Sequence, residues 1–347
     1  MRARCGFCAT PSNYVGPDGS DSSQTVTICI DAWEALRGDP LPWLLDPHRP
    51  NLHWRVLLEL VRRPPESPAV VRARGGSDAV EPVASLIEDL DLERSWALDV
   101  PLWRPYAGPG WRLLSAVQWG ANPADPRLQS AAEVLLETAP GEGGFARREG
   151  GPAIPWLTAR VMHGLAELGW CRHSRFQEGL AWLEDSDANH PDGGWRVVGG
   201  QSVTGECKVT AVALLGALTA CSDLRRQVLQ RRSVESVVRT IAAATGSPAR
   251  LGHPDLGRTD EAELLWALAR AGAPLEPVMV CALKRLQQCQ MDGGRWRRDV
   301  PVPKSLSAPF EGALGDPSRW VTLKCVVALM HYAVEAQLPR MYPQKPR

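Results

Sequence analysis

Trp96, Phe145, Trp195 and Trp296 stand 49, 50 and 101 residues apart, the last interval being two periods with one weak copy between. Three of the four follow a glycine pair, Gly143–Gly144, Gly193–Gly194 and Gly293–Gly294. The missing mark falls near Thr245 and Gly246, in the turn-like stretch AATGSPARLG. A period of this size marks a supersecondary unit that cannot bury its apolar face alone and must stack on copies of itself. The repeat therefore constrains the architecture before any other feature does.

Each period holds two helical patterns of different character. Segments 52–62, 111–120, 156–169, 207–221, 260–271 and 320–334 are apolar on most faces. Helices of that kind are buried. Segments 80–89, 127–138, 175–184, 232–243 and 277–290 carry charge along one side and belong on an outer surface; 25–37 supplies a sixth. Windows with strand-like alternation are nearly absent. The turn cluster Asn122–Pro123–Ala124–Asp125–Pro126, with Gly272–Ala273–Pro274 and Cys171–Arg172–His173–Ser174 elsewhere, separates paired helices. The expected fold is all-α: one α/α toroid of six inner and six outer helices over 25–336, between an amino-terminal tail (1–24) and a carboxy-terminal one (337–347). An open superhelix of the same pairs is the rival, and the lack of a polar capping repeat at the carboxy end argues against it.

Composition excludes more than it selects. Hydrophobic residues at 44% support a large core, and a formal net charge of zero with no basic stripe gives nucleic acid no footprint. The longest apolar stretch, 209–221, is too short for a bilayer. The arginines of MRARCGFCATPSN precede no apolar run, so no secretory leader is expected. Nine cysteines, scattered and odd in number, read as reduced thiols of a cytoplasmic protein. Fourteen tryptophans against four Phe and four Tyr suit either repeat cores or the walls of an apolar cavity.

The copy Gln290–Met291–Asp292–Gly293–Gly294–Arg295–Trp296 fits Q-x3-G-x-W, and AWLEDSDANHPDGGW, ending at Trp195, repeats it without the glutamine. This resembles the QW repeat of squalene and oxidosqualene cyclases. The stretch LPWLLD at 41–46, with His53–Trp54–Arg55, Arg62–Arg63–Pro64 and Pro317–Ser318–Arg319–Trp320, is similar to bacterial prenyltransferase/squalene-oxidase-repeat proteins. The likeness runs from about Trp33 to Tyr332 and implies the α/α toroid of the terpenoid-cyclase and protein-prenyltransferase superfamily. The spaced residues Trp96, Phe145, Trp195, Gln290, Gly294 and Trp296 are then fastenings of the repeat rather than chemistry.

The chemistry of that superfamily is only thinly represented. The D-x-D-D acid motif of the cyclases is absent; Glu88–Asp89–Leu90–Asp91 and Asp185–Ser186–Asp187 read as surface carboxylates. No D-D-x-x-D pyrophosphate motif occurs. The prenyltransferase branch holds zinc with Asp, Cys and His, for which Cys207, His253 (with Asp255) and Asp260 are the weak counterparts, without the D-x-C spacing. Cys5-x-x-Cys8 is a lone pair in the tail, and Cys171 with His173 lacks the C-H-G partner of lanthipeptide-type cyclases. No cofactor is expected, with zinc the single exception.

A pocket rim is the concrete site expectation. Trp103, Arg104, Tyr106 and Trp111 crowd the mouth of one inner helix, Trp156 and Trp320 recur at mouths of others, and Trp266 lies mid-helix. Arg112, Arg160 and Arg319 join Arg104 as partners either of a ligand's pyrophosphate or carboxylate or of outer-rim carboxylates, while His163 and His331 read as satisfied core residues. Aromatic faces stabilise cations, so the resemblance implies a hydrophobic, isoprenoid-type small molecule in a central cavity. Two rival readings are a toroidal scaffold for a protein or peptide and a zinc-dependent transferase.

Overall fold

A computed structural model describes residues 35–88, 90, 102–104, 108–137, 143–147, 151–188, 208–221, 226–244, 250–255, 258–302 and 311–336. Among them thirteen α-helices and two 3₁₀ turns account for the regular structure, with two isolated bridges, Met291 to Arg295 and Arg297 to Pro317, in place of any strand. The helices are α1 (Leu41–Leu44), α2 (Pro50–Glu59), α3 (Pro68–Gly75), α4 (Val83–Glu88), α5 (Pro109–Gln118), α6 (Pro126–Glu137) and α7 (Pro155–Glu167). They continue as α8 (Ser174–Ala188), α9 (Lys208–Ala220), α10 (Gln227–Ala243), α11 (Glu261–Arg270), α12 (Pro277–Gln288) and α13 (Arg319–Ala336).

Punctuation in the sequence explains these boundaries. Pro50, Pro68, Pro109, Pro126, Pro155 and Pro277 each open a helix. Their fixed φ suits the first helical position, where the missing N–H has no partner to lose. Gly120, just past α5, adopts φ +72° and donates to Val117 O. A Cβ there would meet Asn51 O at 2.1 Å, so α2 and α5 approach through this glycine.

Burial separates the two helix classes. In α9 every residue from Val209 to Leu218 is buried, and α7 buries ten of its thirteen residues. By contrast α10 buries five of seventeen. The buried helices touch in succession: α5 on α7, α7 on α9, α9 on α11, α11 on α13 and α13 on α2. Between α2 and α5, Asn51 Nδ2 donates to Trp119 O (2.9 Å) and Trp54 Nε1 to Gly120 O (2.8 Å). The half-exposed helices lie against them, α6 on α5, α8 on α7, α10 on α9 and α12 on α11.

The spaced aromatics work by hydrogen bonds that recur between copies. Phe145 N–H donates to Thr158 Oγ1 (2.8 Å), and its carbonyl accepts from Ile154 N–H (2.8 Å). Trp296 repeats both contacts, with Thr322 Oγ1 (3.0 Å) and Ser318 N–H (2.8 Å). Each loop is thereby sewn onto the first turn of the buried helix that follows it. The Trp296 indole donates to Leu286 O (2.7 Å) at the end of α12. Gln290 Oε1 accepts from Arg37 N–H (2.9 Å), binding the amino-terminal segment to this copy. Gly294, at φ +74°, lets Gly38 pass so close that a Cβ would sit 2.3 Å from Gly38 O. Trp96 and Trp195 lie outside the described residues.

Three sequence expectations need correction. Residues 35–37, the described end of the predicted helix 25–37, form a turn and bends. Helix α3 was not foreseen, because its eight residues, PAVVRARG, carry no clear apolar stripe. Most consequentially, Cys171 and Cys221 form a disulfide, with Cα atoms 5.7 Å apart, so these two of the nine thiols are not reduced. They are 50 residues apart, one repeat period, and follow α7 and α9; packing those helices together brings equivalent turns side by side. Among the described residues no helix is long and apolar enough to cross a membrane.

Candidate functional site

The sixth residue of five buried helices points into one cavity: Arg55 of α2, Leu114 of α5, Arg160 of α7, Trp266 of α11 and Lys324 of α13. Residues a turn or so further along, among them Gln118, His163 and Glu167, deepen its wall. The loop before α11 adds His253 and Asp255, and Trp320 and Leu323 complete one apolar side. The space open to water centres is about 50 Å³, room for about four water molecules.

The exposed lining is mostly apolar, but six of its side chains are charged, and each of the six is paired. Arg55 meets Glu167 (2.7 Å), which also accepts from Arg270 (3.1 Å). Arg160 meets Glu263 (2.8 Å), both side chains at most 3% exposed, and also donates to Arg258 O (2.9 Å). Trp266 Nε1 donates to Glu59 (2.7 Å). Lys324 Nζ contacts Asp255 Oδ2, and Gln118 holds the Asp255 backbone from both sides, accepting its N–H (2.7 Å) and donating to its carbonyl (3.2 Å). Buried charges of this density cost desolvation that their partners must offset.

Titration follows from these neighbours. Burial opposes the charge of Glu167, yet Arg55 and Arg270 hold it well below the usual carboxylate range. Burial pushes the Lys324 ammonium down, to about 7, with the Arg160 cation assisting, while Cys325 and Glu59 work the other way. Burial, then Lys324, hold His253 well below its ordinary value, so its imidazole is neutral.

His253 is the residue whose weight the sequence understated. Its ring stacks on Trp320 (centroids 4.8 Å apart, planes 6° from parallel), and Trp119 meets it edge-on at 4.7 Å. It is 4% exposed, and neither ring nitrogen makes a hydrogen bond of normal geometry, although the Gln118 backbone lies near enough to favour its protonation; Asp255 Oδ2 is 3.9 Å from Nδ1. Asp255 Oδ1 is likewise buried without a hydrogen bond, while His163 Nε2 faces Glu167 Oε1 at 3.6 Å. Buried polar atoms are normally satisfied by protein or by ordered water, so these cavity-wall atoms have bonding capacity left for water or for another molecule.

Of the rim residues expected from sequence, Trp266 and Trp320 line this cavity. Trp103, Trp111 and Trp156 instead pack on one another: Trp103 edge-on to Trp111 (5.6 Å), Trp111 stacked on Trp156 (6.0 Å). Arg104 is exposed, and Tyr106 lies outside the described residues. Among the other arginines only Arg160 reaches the cavity; Arg112 donates to Ser85 O and Leu86 O, and Arg319 pairs with Asp46 (3.1 Å). Register alone does not decide this, since Trp156 and Trp320 are each the second residue of their helix: Trp156 is covered by Trp111, whereas Trp320 stacks on His253 at the cavity wall.

Of the weak zinc candidates, His253 and Asp260 are among the described residues. Asp260 caps α11, accepting from the N–H groups of Glu263 (3.0 Å) and Gly252 (2.7 Å), and burial raises its carboxyl to about 7. Cys207 lies outside the described residues. Among the described residues no three His, Cys, Asp or Glu side chains are placed to hold a metal ion. Asp185 and Glu88, the described parts of the two acidic runs, are exposed. Comparison with known proteins finds no matching family model and no matching curated protein.

Proposed function

We propose that the chain is an α/α toroid of the squalene-cyclase and prenyltransferase repeat type, whose central cavity binds a small organic molecule with an apolar body and a polar head. The succession of buried-helix contacts from α5 round to α2, with the Asn51 and Trp54 bonds back to α5, supports a closed ring over an open superhelix. The recurrence of the aromatic–threonine tie in two copies supports the repeat reading. The ligand we infer is smaller and more polar than an isoprenoid chain. A space of about 50 Å³ between paired charges accommodates a handful of heavy atoms. The polar head belongs against His253 and Asp255 Oδ1, and the apolar body against Trp266, Trp320 and Leu323.

The observation that carries this reading is His253, a buried imidazole at a cavity wall whose nitrogens make no hydrogen bond of normal geometry. Native mass spectrometry of the gently purified full chain tests it. The expected result is a retained small molecule that disappears in His253→Phe, which keeps a ring on Trp320 and removes both nitrogens. A wild-type chain that carries no added mass, with His253→Phe melting at the same temperature, sinks the reading. A retained polypeptide in place of a small molecule supports the scaffold reading.

A further inference from the structure

The chain uses arginine almost throughout for positive charge. Of its 39 basic residues only five are lysine: Lys208, Lys284, Lys304, Lys324 and Lys345. One of the five, Lys324, occupies the sixth position of a buried helix, where α2 and α7 carry Arg55 and Arg160. A guanidinium cannot give up its proton in a protein, whereas a buried lysine can. Where the ring needs only a paired cation it has arginine; at this one cavity position it has a potential nucleophile.

The surroundings fit that use. Lys324 is 3% exposed and faces the cavity. Its Nζ contacts Asp255 Oδ2, while Asp255 Oδ1 stays buried without a partner, so one carboxylate oxygen is left to handle a proton. The Trp266 face lies 5.7 Å from Nζ. Arg160, paired with Glu263 across the same cavity, adds a second cation. Arg55, His163, Glu167 and the neutral His253 complete the charged and titratable groups of the wall; Glu59 acts on Lys324 from behind it, and Cys325 adjoins Lys324 along the chain. A desolvated lysine beside another cation is a recognised way to make a reactive amine.

We infer that Lys324 forms an imine with a small aldehyde or ketone bound in this cavity, with Asp255 as the proton carrier. The inference rests on the small-molecule reading of the cavity given above. The step balances without a further reagent. Lys324 passes a proton to Asp255, and the free amine attacks the carbonyl carbon. The carbonyl oxygen becomes the hydroxyl of a carbinolamine. Asp255 then returns the proton to that hydroxyl, water leaves, and the carbon–nitrogen double bond forms. Ammonium and carbonyl compound thus yield a protonated imine and water. With the amine near 7, much of it is free at pH 8, unlike an ordinary lysine near 10.4.

Pentane-2,4-dione is a suitable probe, because its imine with a free amine rearranges to a stable enaminone that absorbs in the ultraviolet. The full-length chain is incubated with it at pH 8 and read by intact mass and peptide mapping. The expected outcome is one adduct per chain, on Lys324, absent from Lys324→Arg, which keeps the charge toward Asp255. Asp255→Asn should slow formation while leaving the mapped site unchanged. Adducts spread over Lys208, Lys284, Lys304 and Lys345, or none at all, overturn the inference. The two readings fail separately. A chain that retains a small molecule in native mass spectrometry but gives no adduct loses the nucleophile and keeps the binding cavity. A chain that does neither loses both.

Discussion

Removing one member of the Arg160–Glu263 pair should destabilise the fold more than removing both. The two side chains are 2% and 3% exposed and 2.8 Å apart, so neither charge has water to fall back on. Arg160→Met strands the Glu263 carboxylate and takes a donor from Arg258 O. Breaking a buried pair from one side costs about 3–5 kcal/mol, because the remaining charge is uncompensated. In Arg160→Met/Glu263→Leu no charge is stranded, and apolar replacement of a buried pair is typically neutral or stabilising by about 1–4 kcal/mol. Urea denaturation of the four members of this cycle gives each difference directly. The double variant should recover most or all of the loss and still lose the retained small molecule, because the cavity wall has changed. A cost below about 1 kcal/mol for Arg160→Met would refute the premise that this pair is sealed from solvent. So would a double variant no more stable than that single one.

Two further outcomes follow from other parts of the molecule. Replacing Cys171 and Cys221 by serine opens a loop of 50 residues, which the chain-entropy estimate values at about 4 kcal/mol; a reducing agent should lower the melting temperature of the wild type toward that of the variant and leave the variant unmoved. Asp260, raised from 3.8 to about 7 in the fold, holds a proton between those values that the unfolded chain releases. Its contribution therefore makes stability fall as pH rises from about 4 to about 7, by up to roughly 4 kcal/mol. Asp260→Asn retains a capping side chain and should remove that slope, which unfolding free energies at pH 5 and pH 8 would reveal; parallel pH profiles would contradict the assignment.

The all-helical class and most helix boundaries were legible in the sequence, because they rest on local signals. Proline at the first helical position and glycine just past the last act within a few residues, whatever the rest of the chain does. Apolar-all-round segments such as 209–218 announced burial for the same reason. Of the repeat aromatics, Phe145 and Trp296 make the same pair of bonds, one to a threonine hydroxyl and one from a backbone N–H. Their threonine partners, Thr158 and Thr322, could have been found by aligning the copies, for each stands at the fourth position of its helix.

Which buried residues share a cavity was decided only by tertiary structure. Trp156 and Trp320 hold the same place in their helices, but Trp111 covers the first, whereas the second stacks on His253, brought in from a loop before another helix. Cys171 and Cys221 meet only because α7 packs on α9. Lys324 and Asp255 are 69 residues apart and are joined by the positions of α13 and the loop ahead of α11. Periodicity specifies which face of a helix is apolar, so the sequence alone determined the elements and their repeat. The pairing of charges across the cavity depends on how several helices are rotated about their axes relative to one another, and no local signal encodes that rotation.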